Sequence, residues 1–122
     1  MGVGGDWGEA TAAAWAEARG MRVLARNHRC RLGEVDLILE DGRVVAFAEV
    51  KARGGGPVGR GLMSVSRHKR RRIALAALDW LRRHPRLLER PLRFDAVEVR
   101  PGPRGPEVRW VTAAFDAEGL VD

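Results

Sequence analysis

The sequence predicts an α/β domain in which a mixed central β-sheet is flanked by helices. The apolar pattern changes from helical spacing to strand alternation and back, in the order helix, three strands, helix, two strands. Alternation of this kind indicates helices packed on a sheet. A chain of 122 residues suffices for one domain with a core, and we detect no internal repeat. Residues 1–122 are therefore predicted to form a single domain.

The first half of the chain predicts a helix followed by three strands. Residues 7–19 are rich in alanine, and Gly20 supplies a helix stop. Residues 21–30 resemble a strand with mixed alternation. Residues 33–40 and 43–51 alternate cleanly around Asp41-Gly42, which is a strong hairpin signal.

The second half predicts a loop, a helix and two strands. Residues 54–61 are rich in glycine but lack the lysine and spacing of a phosphate-binding P-loop. Residues 66–83 predict a helix with Ser66 as its N-cap, which Pro85 ends. Its core-facing residues at helical spacing are Ile73, Ala77, Trp80 and Leu81.

The last elements are two strands joined by a turn. Residues 92–100 alternate as a strand, and residues 107–112 form the final strand. Between them, residues 101–106 are dominated by proline and glycine.

Composition indicates a basic protein of the cytoplasm that binds polyanions. The net charge is +6 and the isoelectric point is near 11.1, which favours nucleic acid. A membrane surface is the competing partner, but it would need a basic amphipathic helix without an acidic site. No apolar run reaches the length of a membrane span, and the N-terminus does not resemble a signal peptide. The single Cys30 fits a reducing compartment and is better explained by packing than by chemistry.

The hairpin carries the candidate chemistry. Side chains alternate along a strand, so Glu34 and Asp36 share one face, as do Glu49 and Lys51 on the partner strand. A two-residue turn at Asp41-Gly42 pairs Glu34 with Glu49 and places Asp36 diagonal to Glu49. Two opposed carboxylates destabilise a sheet unless a proton, a cation or water offsets them. Mg²⁺, or Mn²⁺ in its place, takes carboxylates, waters and substrate phosphate.

These residues predict a metal-assisted attack on a phosphate. Asp36 and Glu49 would hold the ion, the carbonyl of Val50 would add a ligand, and Glu34 would assist. Lys51 would orient or deprotonate a water, or stabilise charge on the phosphorane. Of the 22 basic residues only Lys51 and Lys69 are lysine, so a lysine at this position is distinctive. A GC-rich genome is the simple explanation for the arginine bias.

Other interpretations of the hairpin remain open. Mixed charges also occur on solvent-facing strands, where Lys51 would merely stabilise its neighbours. A three-residue turn would place Asp36 and Glu49 on opposite faces. The chain's three histidines lack metal-ligand spacing, so zinc is not predicted.

The second helix begins with a basic cluster. Helix N-termini attract phosphate, so nucleic acid is predicted to contact this cluster, although such a run also suits a solvated face. No base-reading motif is present, so contact with the backbone is expected, and DNA is favoured over RNA. Arginines at 82, 83, 86, 90 and 93 form a second basic zone whose direction the sequence does not fix. The predicted binding residues are Arg67, Lys69, Arg70, Arg71 and Arg72.

Several motifs together resemble those of the bacterial YraN-like family. They include Gly8-Glu9-x-x-Ala, the run from Ala25 through Gly33-Glu34-Val35-Asp36-Leu37-Ile38, and Phe47-Ala48-Glu49-Val50-Lys51-Ala52-Arg53. Residues 64–65, 69–73, 93–97 and 114–115 also match, so the resemblance covers about residues 8–115. That family is assigned to the PD-(D/E)XK nuclease-like fold and is similar to archaeal Holliday junction resolvases. The resemblance implies a restriction-endonuclease-like three-layer core.

The resemblance also implies a set of catalytic residues. Glu9 falls on the helix glutamate, and Asp36, Glu49 and Lys51 fall on the D…E-x-K signature, with Val35 where the motif name has proline. The residues alone make Glu9 an outer ligand at most. The implied function is a Mg²⁺-dependent nuclease on DNA, with branched DNA as a candidate substrate and a homodimer as the assembly. The alternative is a non-catalytic nucleic-acid-binding accessory protein.

Overall fold

The protein folds into three layers, with one helix on each face of a five-stranded sheet. The computed structural model describes residues 3–53 and 65–116. The elements run α1 (Val3–Ala18), β1 (Arg22–Cys30), β2 (Gly33–Asp41), β3 (Val44–Ala52), α2 (Arg67–Arg82), a 3₁₀ turn (Pro85–Leu87), β4 (Leu92–Arg100) and β5 (Glu107–Phe115). The predicted α/β class and element order are confirmed. The predicted glycine-rich loop at 54–61 lies outside the described residues.

The sheet is mixed, as predicted. Its strands follow chain order, and every neighbouring pair is antiparallel except β3 and β4, which are parallel. A parallel pair needs a crossover, and α2 lies in that connection. No helix among the described residues is long and apolar enough to cross a membrane.

Two apolar clusters, one on each face, hold the layers together. The predicted core face of α2 is confirmed: Ile73, Ala77, Trp80 and Leu81 are buried, and they pack with residues that include Phe47. On the other face, the alanines of α1 pack closely on the small and branched residues of β3 and β4. Cys30 packs against the α2 cluster, which confirms its structural interpretation.

Helix boundaries follow the predicted caps. Ser66 accepts a hydrogen bond from the backbone N–H of Lys69 at 3.1 Å, which confirms it as the N-cap of α2. At the end of α1, Gly20 has a φ of +89°. The N–H of Met21 donates to the carbonyl of Ala16, and that of Gly20 to the carbonyl of Glu17, which is a Schellman cap. The helix begins at Val3 rather than at the predicted residue 7.

The register of the β2–β3 hairpin corrects the prediction. Asp41 pairs with Val44 and Ile38 with Phe47, so the two central turn residues are Gly42 and Arg43 rather than Asp41 and Gly42. Pairing of Glu34 with Glu49 is therefore wrong by two residues. Gly42 has a φ of +61°, which suits the first central position of a type II′ turn. A shift of two residues keeps the faces unchanged, so the predicted grouping of side chains survives.

Strand β5 extends to Phe115, beyond the predicted end at residue 112. A register shift lies in β4 between Phe94 and Ala96, and Ala113 opposite it has a φ of +52°. The fully buried carboxylate of Asp95 stabilises this irregularity, since it accepts a hydrogen bond from the N–H of Ala113 at 3.0 Å. The strand therefore continues past a bend that alternation alone does not predict.

Candidate metal and phosphate cleft

The predicted acidic residues converge on one cleft between α1, the sheet and the start of α2. Its volume is about 440 Å³. Four carboxylates line it, one from α1, two from β2 and one from β3: Glu9, Glu34, Asp36 and Glu49. Glu34 is exposed, whereas the other three are 5–8% exposed. Burial of three acids at one place is costly without a compensating proton or cation.

Asp36 and Glu49 lie at the point where the β2–β3 ladder stops. The recorded pairing ends at Leu37 and Ala48, which immediately precede these two acids along the hairpin. Beyond that point the Asp36 carboxylate accepts a hydrogen bond from the backbone N–H of Val50 at 2.7 Å. A side chain thus replaces the next backbone bond, and the two carboxylates lie across from each other rather than diagonally.

Two glycines let the helices approach the strands at the cleft. A Cβ at Gly33 would lie 2.1 Å from the carbonyl oxygen of Arg72, so α2 contacts the start of β2 backbone to backbone. A Cβ at Gly8 would lie 3.0 Å from the Cβ of Ala52. Because Gly8 precedes Glu9, this close approach brings the Glu9 side chain to the sheet.

The electrostatics of the cleft favour a bound cation. Burial and the neighbouring charges of Glu49 and Glu9 together raise the pKa of Asp36 to about 8, although the hydrogen bond from the Val50 N–H opposes them. Oε1 of Glu9 is buried and has no hydrogen-bond partner among the described residues. A group that binds here would therefore relieve both like-charge repulsion and an unsatisfied acceptor.

The donor set suits Mg²⁺ better than a metal ion that takes all of its ligands from the protein. Within residues 3–53 and 65–116, no group of three or more His, Cys, Asp or Glu side chains lies close enough together to form a complete metal site. Mg²⁺ does not require one, because it is commonly held by one or two carboxylates with waters and phosphate. Asp36 and Glu49, with the adjacent Val50 on the cleft wall, provide hard oxygen donors of this kind.

A basic rim faces the acidic floor. Lys69 and Arg72 from α2 and Arg29 from β1 line the same cleft. The Lys69 ammonium lies 2.6 Å from Oε2 of Glu49, and this hydrogen bond raises the pKa of Lys69. Lys51 is half-buried, does not line the cleft and forms no ion pair with the described residues. The structure thus brings Glu9, Glu34, Asp36, Glu49 and Val50 together, with Lys69 rather than Lys51 among them.

The predicted basic cluster of α2 divides by side-chain environment. Arg67 and Arg71 are exposed, and the Nε of Arg70 donates to the carbonyl of Val65 at 2.7 Å. Three of the five arginines in the second basic zone form ion pairs within the described part of the chain, and of these Arg83 is exposed. Arg83 lies 3.6 Å from Asp79, Arg90 pairs with Glu40, and Arg93 bonds Asp95 and Asp41.

Sequence reasoning missed Arg29 and two buried acids elsewhere, and it predicted Lys69 as a nucleic-acid contact but not its pairing with Glu49. Arg29 gave no signal, because an arginine on an alternating strand is common in this chain. Lys69 is one of only two lysines, and that rarity was the available clue. Asp95 and Glu98 are 0% and 3% exposed, but alternation on β4 predicted only the strand.

Comparisons with known proteins show which family the chain belongs to. A model of the uncharacterised protein family UPF0102 matches residues 8–99, a range that contains every cleft residue named above. The chain is 48% identical over 115 residues to a UPF0102 protein of Anaeromyxobacter dehalogenans, covering 94% of this chain and 85% of that protein. UPF0102 proteins of Methylococcus capsulatus and Halorhodospira halophila are 40% and 44% identical, each over 93% of this chain and over 91% and 88% of their own lengths. The YraN-like resemblance inferred from the motifs is confirmed, and the chain belongs to the UPF0102 family.

Proposed function

We propose that this protein is a Mg²⁺-dependent nuclease that hydrolyses phosphodiester bonds in DNA, with branched DNA as a candidate substrate. The observation that carries the proposal is the convergence of three buried carboxylates, from α1, β2 and β3, beneath a basic rim. An acidic floor suits a divalent cation, and a basic rim suits the phosphates of its substrate. The three-layer fold agrees with a PD-(D/E)XK nuclease core, which is part of the proposal.

The acidic residues of the cleft each have a role in this function. Asp36 and Glu49 would hold the ion, with the Val50 carbonyl as a further ligand and Glu34 at the exposed side. Bound there, Mg²⁺ would supply an activated water and stabilise negative charge on the phosphoryl oxygens. Oε1 of Glu9 would accept a hydrogen bond from water in the cleft. Lys51 lies outside the cleft lining, two residues beyond Glu49 on the same face of β3, and its proposed role is to orient or deprotonate the attacking water.

Cleavage of plasmid and junction DNA with Mg²⁺ or Mn²⁺ tests the proposal. Asp36→Asn and Glu49→Gln each remove the charge of a proposed metal ligand and should lower the cleavage rate at least about hundredfold. Substitution of residues that only support metal ligands typically costs less than this. Lys51→Ala tests the role of that lysine separately. Glu17→Gln, an exposed acid on the helix that carries Glu9, should leave the rate unchanged. If Asp36→Asn and Glu49→Gln both cleave DNA at the wild-type rate, this cleft is not the active site.

One observation favours a non-catalytic nucleic-acid-binding role instead. Lys69 already neutralises Glu49, so part of the acidic charge is balanced without a metal. That role predicts salt-sensitive DNA binding, no cleavage and no Mn²⁺ uptake. Mn²⁺ binding that disappears in Glu49→Gln would support the nuclease.

Two further measurements test the assembly and the substrate class. Sedimentation of the purified protein tests the homodimer, and parallel DNA and RNA substrates at one salt concentration test the substrate class.

A further inference from the structure

The ammonium of Lys69 stands where a divalent cation would bind Glu49. Its Nζ lies 2.6 Å from Oε2 of Glu49, the separation of a close charge-assisted hydrogen bond, so the ammonium occupies one oxygen of that carboxylate. The backbone of Lys69 is fixed, because its N–H donates to the Ser66 cap at 3.1 Å. The side chain is freer, since it is 48% exposed and ends a flexible four-carbon stem.

A cation bound to Glu49 would repel this ammonium. Two positive charges that share one carboxylate repel each other most strongly where water is scarce, and Glu49 is 5% exposed. Binding of a metal at Glu49 therefore requires Lys69 to find another partner. Because the Lys69 side chain is half-exposed, it can leave without disturbing the core.

The same cleft offers such a partner when phosphate is present. Arg72 follows Lys69 by three residues, so both lie on one side of α2, and Arg29 joins them at the rim. A phosphate above the carboxylates would meet all three cations. Lys69 is the member of this rim that is also ion-paired to the acidic floor.

We propose that Lys69 exchanges partners, binding Glu49 in the metal-free protein and the substrate phosphate once a divalent cation takes Glu49. This inference rests on the proposed metal site. Lys69 then opposes metal binding when phosphate is absent, and the phosphate that receives the ammonium removes that opposition. Metal and phosphate each strengthen the binding of the other, as linkage requires.

The test measures Mn²⁺ affinity by electron paramagnetic resonance of the free ion, with and without thymidine monophosphate. This probe has no phosphodiester bond to cleave. Lys69→Met should bind Mn²⁺ alone about tenfold more tightly than wild type and should gain less affinity from the nucleotide. Arg82→Met is the matched control, because it removes the same charge from an exposed position at the other end of the same helix, away from the cleft. Its Mn²⁺ affinity should change less than about threefold.

The possible outcomes separate the exchange of partners by Lys69 from the metal site on which it rests. If Lys69→Met and Arg82→Met behave alike, or if Lys69→Met weakens Mn²⁺ binding, the exchange is wrong while the metal site stands. If Glu49→Gln binds Mn²⁺ as well as wild type does, the metal site itself is wrong and the exchange fails with it. Thermal melts of each variant verify folding, and exposure of Lys69 makes a folding defect unexpected.

Discussion

Asp36 shows most clearly how a single residue is adapted to the cleft. It is 8% exposed, faces Glu49 and Glu9, and accepts a hydrogen bond from Val50. The spacing of Asp36 and Glu49 on two alternating strands was enough to predict their meeting from the sequence. The role of Lys69 was not predictable in this way, because α2 reaches the cleft only through the packing of the whole domain.

The pKa of Asp36 predicts a pH-dependent stability of the metal-free protein. An Asp carboxyl ionises near 3.8 when unfolded, whereas burial and the charges of Glu49 and Glu9 raise the pKa of Asp36 to about 8 in the fold. Between these values the unfolded chain releases a proton that the folded protein keeps. The contribution of Asp36 to stability is therefore complete below about pH 4, falls as the pH rises, and changes no further above about pH 8.

Asp36→Asn isolates this contribution, because an amide resembles the protonated acid and can still accept the Val50 hydrogen bond. Denaturant unfolding without metal should give the variant and wild type similar free energies near pH 4. At pH 8 the variant should be more stable by at least about 1 kcal/mol. Glu49→Gln removes a neighbouring negative charge that raises the pKa of Asp36, so it should narrow the pH range over which stability falls. A difference between Asp36→Asn and wild type that is the same at every pH would contradict the prediction.

At the scale of elements, strand boundaries were predictable but register was not. Alternation placed β2, β3 and β4 within one or two residues, since burial of one face imposes a period of two. The hairpin register depended on which two residues form the turn. The prediction took Asp41 and Gly42 as the two central turn residues. In the structure Asp41 pairs with Val44, and of these two residues only Gly42 has a left-handed backbone conformation. Side-chain faces were right because the error was an even number of residues.

Gly33 is predicted to be essential for packing of α2 on β2. A methyl group there would lie 2.1 Å from the carbonyl oxygen of Arg72, which belongs to backbone and cannot rotate away. Gly33→Ala should therefore lower the free energy of unfolding by about 3 kcal/mol or more. Gly20→Ala is the control, because nothing lies within 4 Å of its Cβ and only its φ of +89° is strained. That control should cost about 1 kcal/mol. Equal losses in the two variants would exclude a packing role for Gly33.

Asp95 is predicted to hold the irregular joint of β4 and β5. Its carboxylate is fully buried and accepts hydrogen bonds from Arg93, from the Trp110 indole at 2.9 Å and from the Ala113 N–H at 3.0 Å. Asp95→Ala should cost about 3–5 kcal/mol, since it removes one partner of a partly buried guanidinium and leaves two other donors unpaired. Asp41→Ala removes the other partner of Arg93. The Asp41 side chain is 43% exposed, so this variant should cost less than about 1 kcal/mol. Denaturant unfolding of both variants checks the difference.

At the scale of the whole molecule, fold and charge distribution together define the binding face. The net charge of +6 predicted a polyanion partner but not a direction. In the second basic zone, Arg83, Arg90 and Arg93 form ion pairs with acidic side chains of the protein itself. Lys69, Arg72 and Arg29 instead meet at the carboxylate cleft. This convergence could not be predicted from the sequence, because it depends on the docking of α2 against one face of the sheet.

The salt dependence of DNA binding tests this assignment of the binding face. In EDTA, the logarithm of the affinity for a short duplex should fall linearly with the logarithm of salt concentration. Arg72→Ala should reduce the magnitude of that slope by about 1, because one phosphate contact is lost. Arg43→Ala is the matched control, since Arg43 is exposed in the β2–β3 turn at the far end of the hairpin from the cleft. Equal changes in slope for the two variants would mean that DNA responds to net charge alone and does not bind at the cleft. A change confined to Arg72→Ala would place a phosphate at the rim in the absence of metal, where the basic residues alone attract it.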